Sequence, residues 1–132
     1  MNCPYCKNNT KVTNSRSRAK GTQIWRRRTC KSCKQTWTTQ EVIDLSTTHR
    51  IEGANNHLEP FSRDKLFLSI KDACAHRKSA LTDATALTDT VLGLVLLKNS
   101  GHLTKSDISD IALAVITRFD KTAGAVYRAK HK

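Results

Sequence analysis

The chain begins Met1-Asn2-Cys3-Pro4-Tyr5-Cys6. A second Cys-x-x-Cys pair closes the run Arg26-Arg27-Arg28-Thr29-Cys30-Lys31-Ser32-Cys33, with 23 residues between Cys6 and Cys30. Two residues between thiols let a tight knuckle aim both sulfurs at one ion, and two knuckles complete a tetrahedron. The interval is slightly longer than compact sites usually carry, which implies a hairpin excursion between the knuckles. Cys3, Cys6, Cys30 and Cys33 are therefore candidate ligands of one structural Zn2+ in a zinc-ribbon layout. Four thiolates leave no open coordination position, so the ion would not be catalytic. The competing reading is a redox pair or four unrelated buried thiols, but no thioredoxin-like βαβ pattern surrounds either pair.

The residues around the cysteines support a metal. Residues 1–39 have few large apolar side chains, among which Val12, Ile24, Trp25 and Trp37 stand out. A segment this small and polar needs a staple to fold. Its charge indicates a partner. The 132 residues carry 23 Lys and Arg against 11 Asp and Glu, a net charge of +12. Residues 1–46 hold ten cations and two acids, whereas 47–132 hold thirteen and nine. Such a field concentrates phosphates, so the N-terminal third is the expected polyanion-binding end. Arg16, Arg18 and Lys20 precede Gly21, and Arg26, Arg27 and Arg28 follow it. With Gly21-Thr22 near the tip of a paired ribbon, both clusters come together, and the five arginines are the candidate contacts to nucleic acid or another polyanion. Arginine suits this role because its planar fork makes two parallel hydrogen bonds to phosphate. Trp25 and Trp37 could stack on bases, but a ribbon this poor in apolar residues favours packing for both.

Residues 40–48 read as a connector in which Val42, Ile43 and Leu45 dock or continue a strand. Residues 49–61, with Gly53, Asn55, Asn56 and Pro60, suit a hairpin. Helical patterns follow. Ser62 caps a stripe of Leu66, Ile70, Ala73, Cys74 and Arg77, with Asp64 in the first turn. A second helix is predicted over 83–98, with Leu87, Val91, Leu94 and Val95 on one face and Asn99-Ser100-Gly101 as its stop. Thr104 and Asp107 form a capping-box pattern ahead of Ile108, Ile111, Ala112, Val115, Ile116 and Phe119. A short last helix carries Ala123, Val126 and Tyr127 before a basic tail. Cys74 falls on an apolar stripe and reads as core. The five histidines lack ligand spacing. No apolar signal-peptide core follows Met1, and the apolar stretch near 91–97 is too short to span a bilayer, so no membrane partner and a cytoplasmic location are expected.

With these residues placed, the sequence resembles the bacterial ribonucleotide-reductase transcriptional repressor family, NrdR. The resemblance rests on Met1-Asn2-Cys3-Pro4-Tyr5-Cys6, residues 11–16, the arginine run into Cys30, and Trp37-Thr38-Thr39-Gln40-Glu41. Farther on, Glu59-Pro60-Phe61-Ser62-Arg63-Asp64-Lys65-Leu66 looks like the opening of the family's ATP-cone and Ala125-Val126-Tyr127-Arg128 like its close. Two departures stand out. Thr48-His49-Arg50-Ile51-Glu52 replaces a usual Val-Val-Lys strand, and about four residues are missing between Ala123 and Gly124.

The resemblance implies an α+β protein: a small antiparallel zinc ribbon with linker over 1–46, then a shortened, mainly helical ATP-cone-like domain over 47–132, opened by a β-hairpin. It implies a repressor that binds double-stranded operator DNA of ribonucleotide reductase genes. Its effector would be ATP or dATP and its homo-oligomeric state nucleotide-dependent. Candidate nucleotide-binding residues by position are Arg50, Lys65 and Arg77 for phosphate and Tyr127 for base or packing. A solvated surface charge is nearly as good a reading for Arg77, as core packing is for Tyr127. The alternative function is a zinc-ribbon RNA- or ssDNA-binding protein whose helical domain does not sense nucleotide. An enzyme fits worst, because no nucleophile–base pair, paired carboxylates or GxxxxGK[ST] loop is present.

Overall fold

A computed structural model describes residues 1–18, 21–98 and 101–131. Lys20, Asn99, Ser100 and Lys132 lie outside the described residues. With them go one cation of the ribbon tip, part of the expected helix stop and the end of the basic tail. The protein is α+β and divides into two compact units, Met1–Ile43 and Asp44–Lys132.

The first unit is a three-stranded antiparallel sheet ordered β1 (Thr10–Arg18), β2 (Gln23–Cys30) and β3 (Thr36–Val42). Gly21 has a φ of 94° between β1 and β2, a conformation glycine adopts without steric cost. The register runs from Thr10↔Cys30 to Arg18↔Gln23, with one irregularity between Val12 and Asn14. Gln40–Val42 completes β3, so that Val42 of the expected connector continues a strand, and Gln40 pairs with Trp25. Among the described residues of this unit only Cys3 and Cys30 are buried.

The second unit starts with a short helix, α1 (Leu45–Thr48), capped by Asp44. The expected hairpin is present: β4 (Arg50–Glu52) pairs antiparallel with β5 (Leu58–Pro60). Asn55 and Asn56 take positive φ between them, as asparagine tolerates. A strand missed in the sequence, β6 (His102–Thr104), adds to β4 in parallel and sets Leu103 beside Ile51, both buried. Three residues carry too little periodicity to announce a strand, and its partner lies about fifty positions upstream.

The helices are α2 (Arg63–Ala73), α3 (Ala80–Leu97), α4 (Lys105–Phe119) and α5 (Lys121–Lys130). Ser62 Oγ accepts from the Lys65 N–H at 3.2 Å. Thr104 and Asp107 form the reciprocal box, at 3.1 Å and 3.0 Å. Ile70, Val91, Val95, Leu103 and Ile116 are fully buried in one core. The second helix starts before residue 83, and Leu94 lies at the edge of its buried stripe, 40% exposed. By length and a mean hydropathy of 1.5, α3 is also apolar enough to cross a membrane. The reading from 91–97 alone missed this because threonine and alanine dilute the earlier turns without breaking them. Its buried side packs on α2 and α4.

Arg77 lies past the end of α2 and joins distant pieces of this unit. Its Nε donates to Asp83 Oδ2 at 2.7 Å and its Nη1 to Asp120 Oδ2 at 3.1 Å. The guanidinium also sits 4.7 Å from the Phe119 ring centre. Asp120 in turn caps α5 by accepting from the Ala123 N–H at 2.9 Å. That amide, with the His76 and Arg77 side chains, holds the Asp120 carboxyl at about 2.

Two helical glycines give opposite expectations. A Cβ on Gly124 of α5 would lie 2.3 Å from Thr117 Oγ1 and 2.8 Å from Thr117 Cα, whereas one on Gly93 meets nothing within 4 Å. Gly124→Ala should therefore destabilise the second unit by about 1–3 kcal/mol through overpacking. Gly93→Ala should stabilise it by roughly 0.8–1 kcal/mol through helix propensity. Urea midpoints check both, and equal signs would refute the packing account.

Candidate metal centre and nucleic-acid interface

The four N-terminal sulfurs converge. Cys3, Cys6, Cys30 and Cys33 place their Sγ atoms within 4.8 Å of one another. Cys3 Sγ is 3.6 Å from Cys33 Sγ, and Cys6 Sγ is 3.5 Å from Cys30 Sγ. Bonds of about 2.3 Å to a tetrahedral zinc would set sulfurs about 3.8 Å apart, so this donor set fits that ion. Disulfides, at about 2.05 Å, are absent from the cluster.

The two knuckles repeat one design. Lys7 and Lys34, each directly after the second thiol of a pair, take φ of 63° and 62°. Each lysine Nζ donates to a carbonyl three residues back, Lys7 to Pro4 at 3.2 Å and Lys34 to Lys31 at 2.7 Å. The Cys3 N–H donates to Asn8 O at 2.8 Å and the Cys30 N–H to Gln35 O at 2.9 Å, closing both loops. Backbone amides and neighbouring sulfurs move Cys6 and Cys33 in opposite directions. The Asn8 backbone amide, helped by neighbouring thiols, lowers Cys6 to about 6. The Gln35 amide lowers Cys33, but burial and the other three thiols outweigh it and push the group up to about 12. Without a cation the thiols do not all ionise together. A divalent ion supplies the charge that lets them.

The sheet sorts the arginines in a way their sequence order hides. Side chains alternate across a strand. The register puts Arg16 opposite Trp25, Arg18 opposite Gln23 and Arg27 opposite Asn14 and Thr38, all on one face. Lys11, opposite Thr29, shares that face, and no acid of the three strands stands on it, since Glu41 pairs with Ile24 on the other side. Lys11, Arg16, Arg18 and Arg27 are exposed. Arg26 and Arg28 point to the other side and are half-buried. There Arg26 forms an ion pair with Glu41, and Arg28 Nε donates to Thr39 Oγ1 at 3.1 Å. So the two clusters meet in register, but two of the five expected contacts face away.

The tryptophans also divide. Trp37 meets Tyr5 edge to face at 6.2 Å, on the side of Arg26 and Arg28. Trp25 lies on the acid-free face with the Arg18 guanidinium 5.7 Å from its ring centre.

In the second unit a cavity of about 260 Å³ is lined by Lys65 and Tyr127, together with Glu59, Lys105 and His131. Glu59 bridges two lysines, Lys65 Nζ at 3.2 Å and Lys105 Nζ at 3.5 Å. Lys65 first, then Lys105, holds its carboxyl below the usual range. Tyr127 is buried and stacks on His131 at 4.3 Å. The other two candidates do not line the cavity. Arg50 is exposed and donates to Ser46 O at 3.2 Å, and Arg77 is engaged with Asp83 and Asp120. Lys105 went unread, although its place just after the Thr104 cap was a usable signal.

Comparison with known proteins follows this division. Residues 1–41 match the family described as "Transcriptional repressor NrdR-like, N-terminal domain". A "Transcriptional repressor NrdR" of Corynebacterium aurimucosum is 35% identical over 133 residues, covering 100% of this chain and 85% of that protein. Its namesake in a Nocardioides species is 32% identical over 134 residues, 98% and 76% of the two chains. One from Thermobifida fusca is 44% identical over 88 residues, 66% of this chain and 54% of the relative.

Removing one thiol should undo the cluster. Cys30→Ser is expected to abolish stoichiometric zinc, a loss drawn from a binding energy of about 10–16 kcal/mol, and to collapse the amide dispersion of residues 1–43. Metal analysis and NMR on the same sample check this. A ribbon that keeps native shifts in a chelator would refute the metal centre.

Proposed function

This chain belongs to the NrdR family of transcriptional repressors, and on that premise we propose that it represses ribonucleotide reductase genes by seating one face of a zinc ribbon on duplex operator DNA. The observation that carries the reading is the acid-free face with four exposed cations. A polyanion needs cations on one side and no carboxylates among them, and the fold supplies both. Zinc held by Cys3, Cys6, Cys30 and Cys33 would be a structural cross-link that keeps this face in register.

The second unit is read as the sensor. A cavity with two lysines and a buried tyrosine suits a nucleotide, with ATP or dATP as the expected effector. The lysines would take phosphate, displacing Glu59, and Tyr127 would take the base. Arg77 is assigned a structural role, because its ion pairs already tie the helices together. Nucleotide occupancy would shift a homo-oligomeric equilibrium, and by linkage it alters DNA affinity only as far as the nucleotide binds the competing states differently. The setting is cytoplasmic, alongside the chromosome, and no catalytic role is assigned. Trp25 amid the cations gives the second reading some support, since aromatic rings between cations suit single strands. Binding compared on duplex and single strand separates the two.

Salt dependence tests the face. Each phosphate contact contributes about −0.9 to the slope of log K against log salt on duplex DNA. Replacing Arg16 and Arg18 with alanine should flatten that slope by roughly 1.8, while replacing Arg26 and Arg28 should change it far less. Equal losses would move DNA to the opposite face.

Calorimetry tests the cavity. Lys65→Ala and Lys105→Ala should each weaken ATP or dATP binding by about ten- to hundred-fold, the worth of a charge-assisted hydrogen bond. Arg77→Ala should leave affinity intact and lower stability. A wild-type protein that binds neither nucleotide at millimolar concentration has no sensor.

A further inference from the structure

The basic face is asymmetric, and the asymmetry carries more information than its charge. Three cations, Lys11, Arg16 and Arg18, stand on the β1 edge. The β3 edge of the same face is neutral and presents Thr36, Thr38, Gln40 and Val42. Between them β2 offers Arg27, the one exposed side chain of that strand. Among the described residues Asn14, Thr38 and Gln40 have no side-chain hydrogen bond, and Arg27 has no acidic partner. An arginine and an amide exposed with no partner in their own fold are the groups that read base edges.

Size supports the fit. Strands spaced by about 4.8 Å put β1 and β3 about 10 Å apart, against a major groove about 12 Å wide. Laid across that groove, the sheet would bring the β1 edge to one phosphate wall and leave β2 and β3 over the floor.

Resting on the duplex-DNA reading above, we propose that the face divides its work by strand: Lys11, Arg16 and Arg18 hold phosphates, while Arg27 and Gln40 determine sequence. The chemistry names the targets. Arginine makes a two-pronged contact with the O6 and N7 of guanine, and glutamine with the N6 and N7 of adenine. Arg27 aligns with Thr38, and Gln40 is two residues farther along the same strand. Same-face side chains on one strand are about 7 Å apart, so the two bases should lie about two base pairs from each other.

The test is selection of the full-length protein on a randomised duplex pool, followed by salt titration of the enriched site. Arg27→Lys keeps the charge and loses the fork. It should cost about ten-fold in preference for guanine at one position and leave the salt slope in place. Gln40→Ala should erase an adenine preference nearby, again with the slope unchanged. Arg16→Gln should do the reverse, lowering the slope by about 0.9 with the motif intact. All three positions are exposed, and one zinc per chain verifies the fold of each variant. If wild type enriches no duplex, the repressor reading itself fails. If wild type enriches a site that Arg27→Lys and Gln40→Ala still select unchanged, the division of work is wrong while DNA binding stands.

Discussion

Four converging sulfur atoms, two of them on the buried Cys3 and Cys30, hold the first unit together, and the placement of its side chains follows from them. Among its described residues no large apolar side chain is fully buried, so the roughly 1.5–3 kcal/mol that each such burial contributes elsewhere is missing. The knuckles add cost, since Lys7 and Lys34 hold left-handed backbone that disfavours a Cβ by about 1–2 kcal/mol each. A tetrathiolate metal, worth on the order of 10 kcal/mol or more, exceeds these costs. The sheet is thus free to be polar on both faces. That freedom lets it carry exposed arginine without an apolar layer beneath.

The second unit is built the other way, with an apolar core and polar groups at its joints. Ser62, Thr104 and Asp120 each satisfy N–H groups at a helix start. Asp120 does this while also receiving Arg77, so one carboxylate sets the α4–α5 corner and fastens the α2–α3 turn to it. Glu59 has a comparable double duty at the cavity, holding two lysines that would otherwise repel each other.

Local chemistry was the legible part of the sequence. Cys-x-x-Cys spacing, the Ser62 cap and the Thr104–Asp107 box each act over three or four residues, and each appears in the structure where the pattern puts it. Non-local relations were harder to read. β6 has three residues and pairs with a strand about fifty positions away. Arg77 extends the stripe of α2 on paper, yet the helix ends at Ala73 and the side chain turns to Asp83 and Asp120. Of the candidate nucleotide residues Lys65 and Tyr127 share a cavity, while Arg50, next to the inward Ile51, takes the alternate side of its strand. The arginine run shows the same limit: adjacent residues of one strand serve opposite faces, and run length conceals this.

That last point links the metal to the exposed basic face. Cys30 ends β2 and is buried, so its side of the strand is fixed by the cluster. Counting back two and four positions gives Arg28 and Arg26, which share its parity and lie opposite the exposed face. Counting back three gives Arg27, which is presented. A slip of one residue exchanges these sets entirely. A slipped β2 would present Arg26 and Arg28 in place of Arg27, away from Glu41 of the neighbouring strand, and would turn Trp25 to the other side. Zinc therefore does more than hold a small sheet together. By pinning Cys30 it selects which arginine of three stands on the exposed, acid-free face.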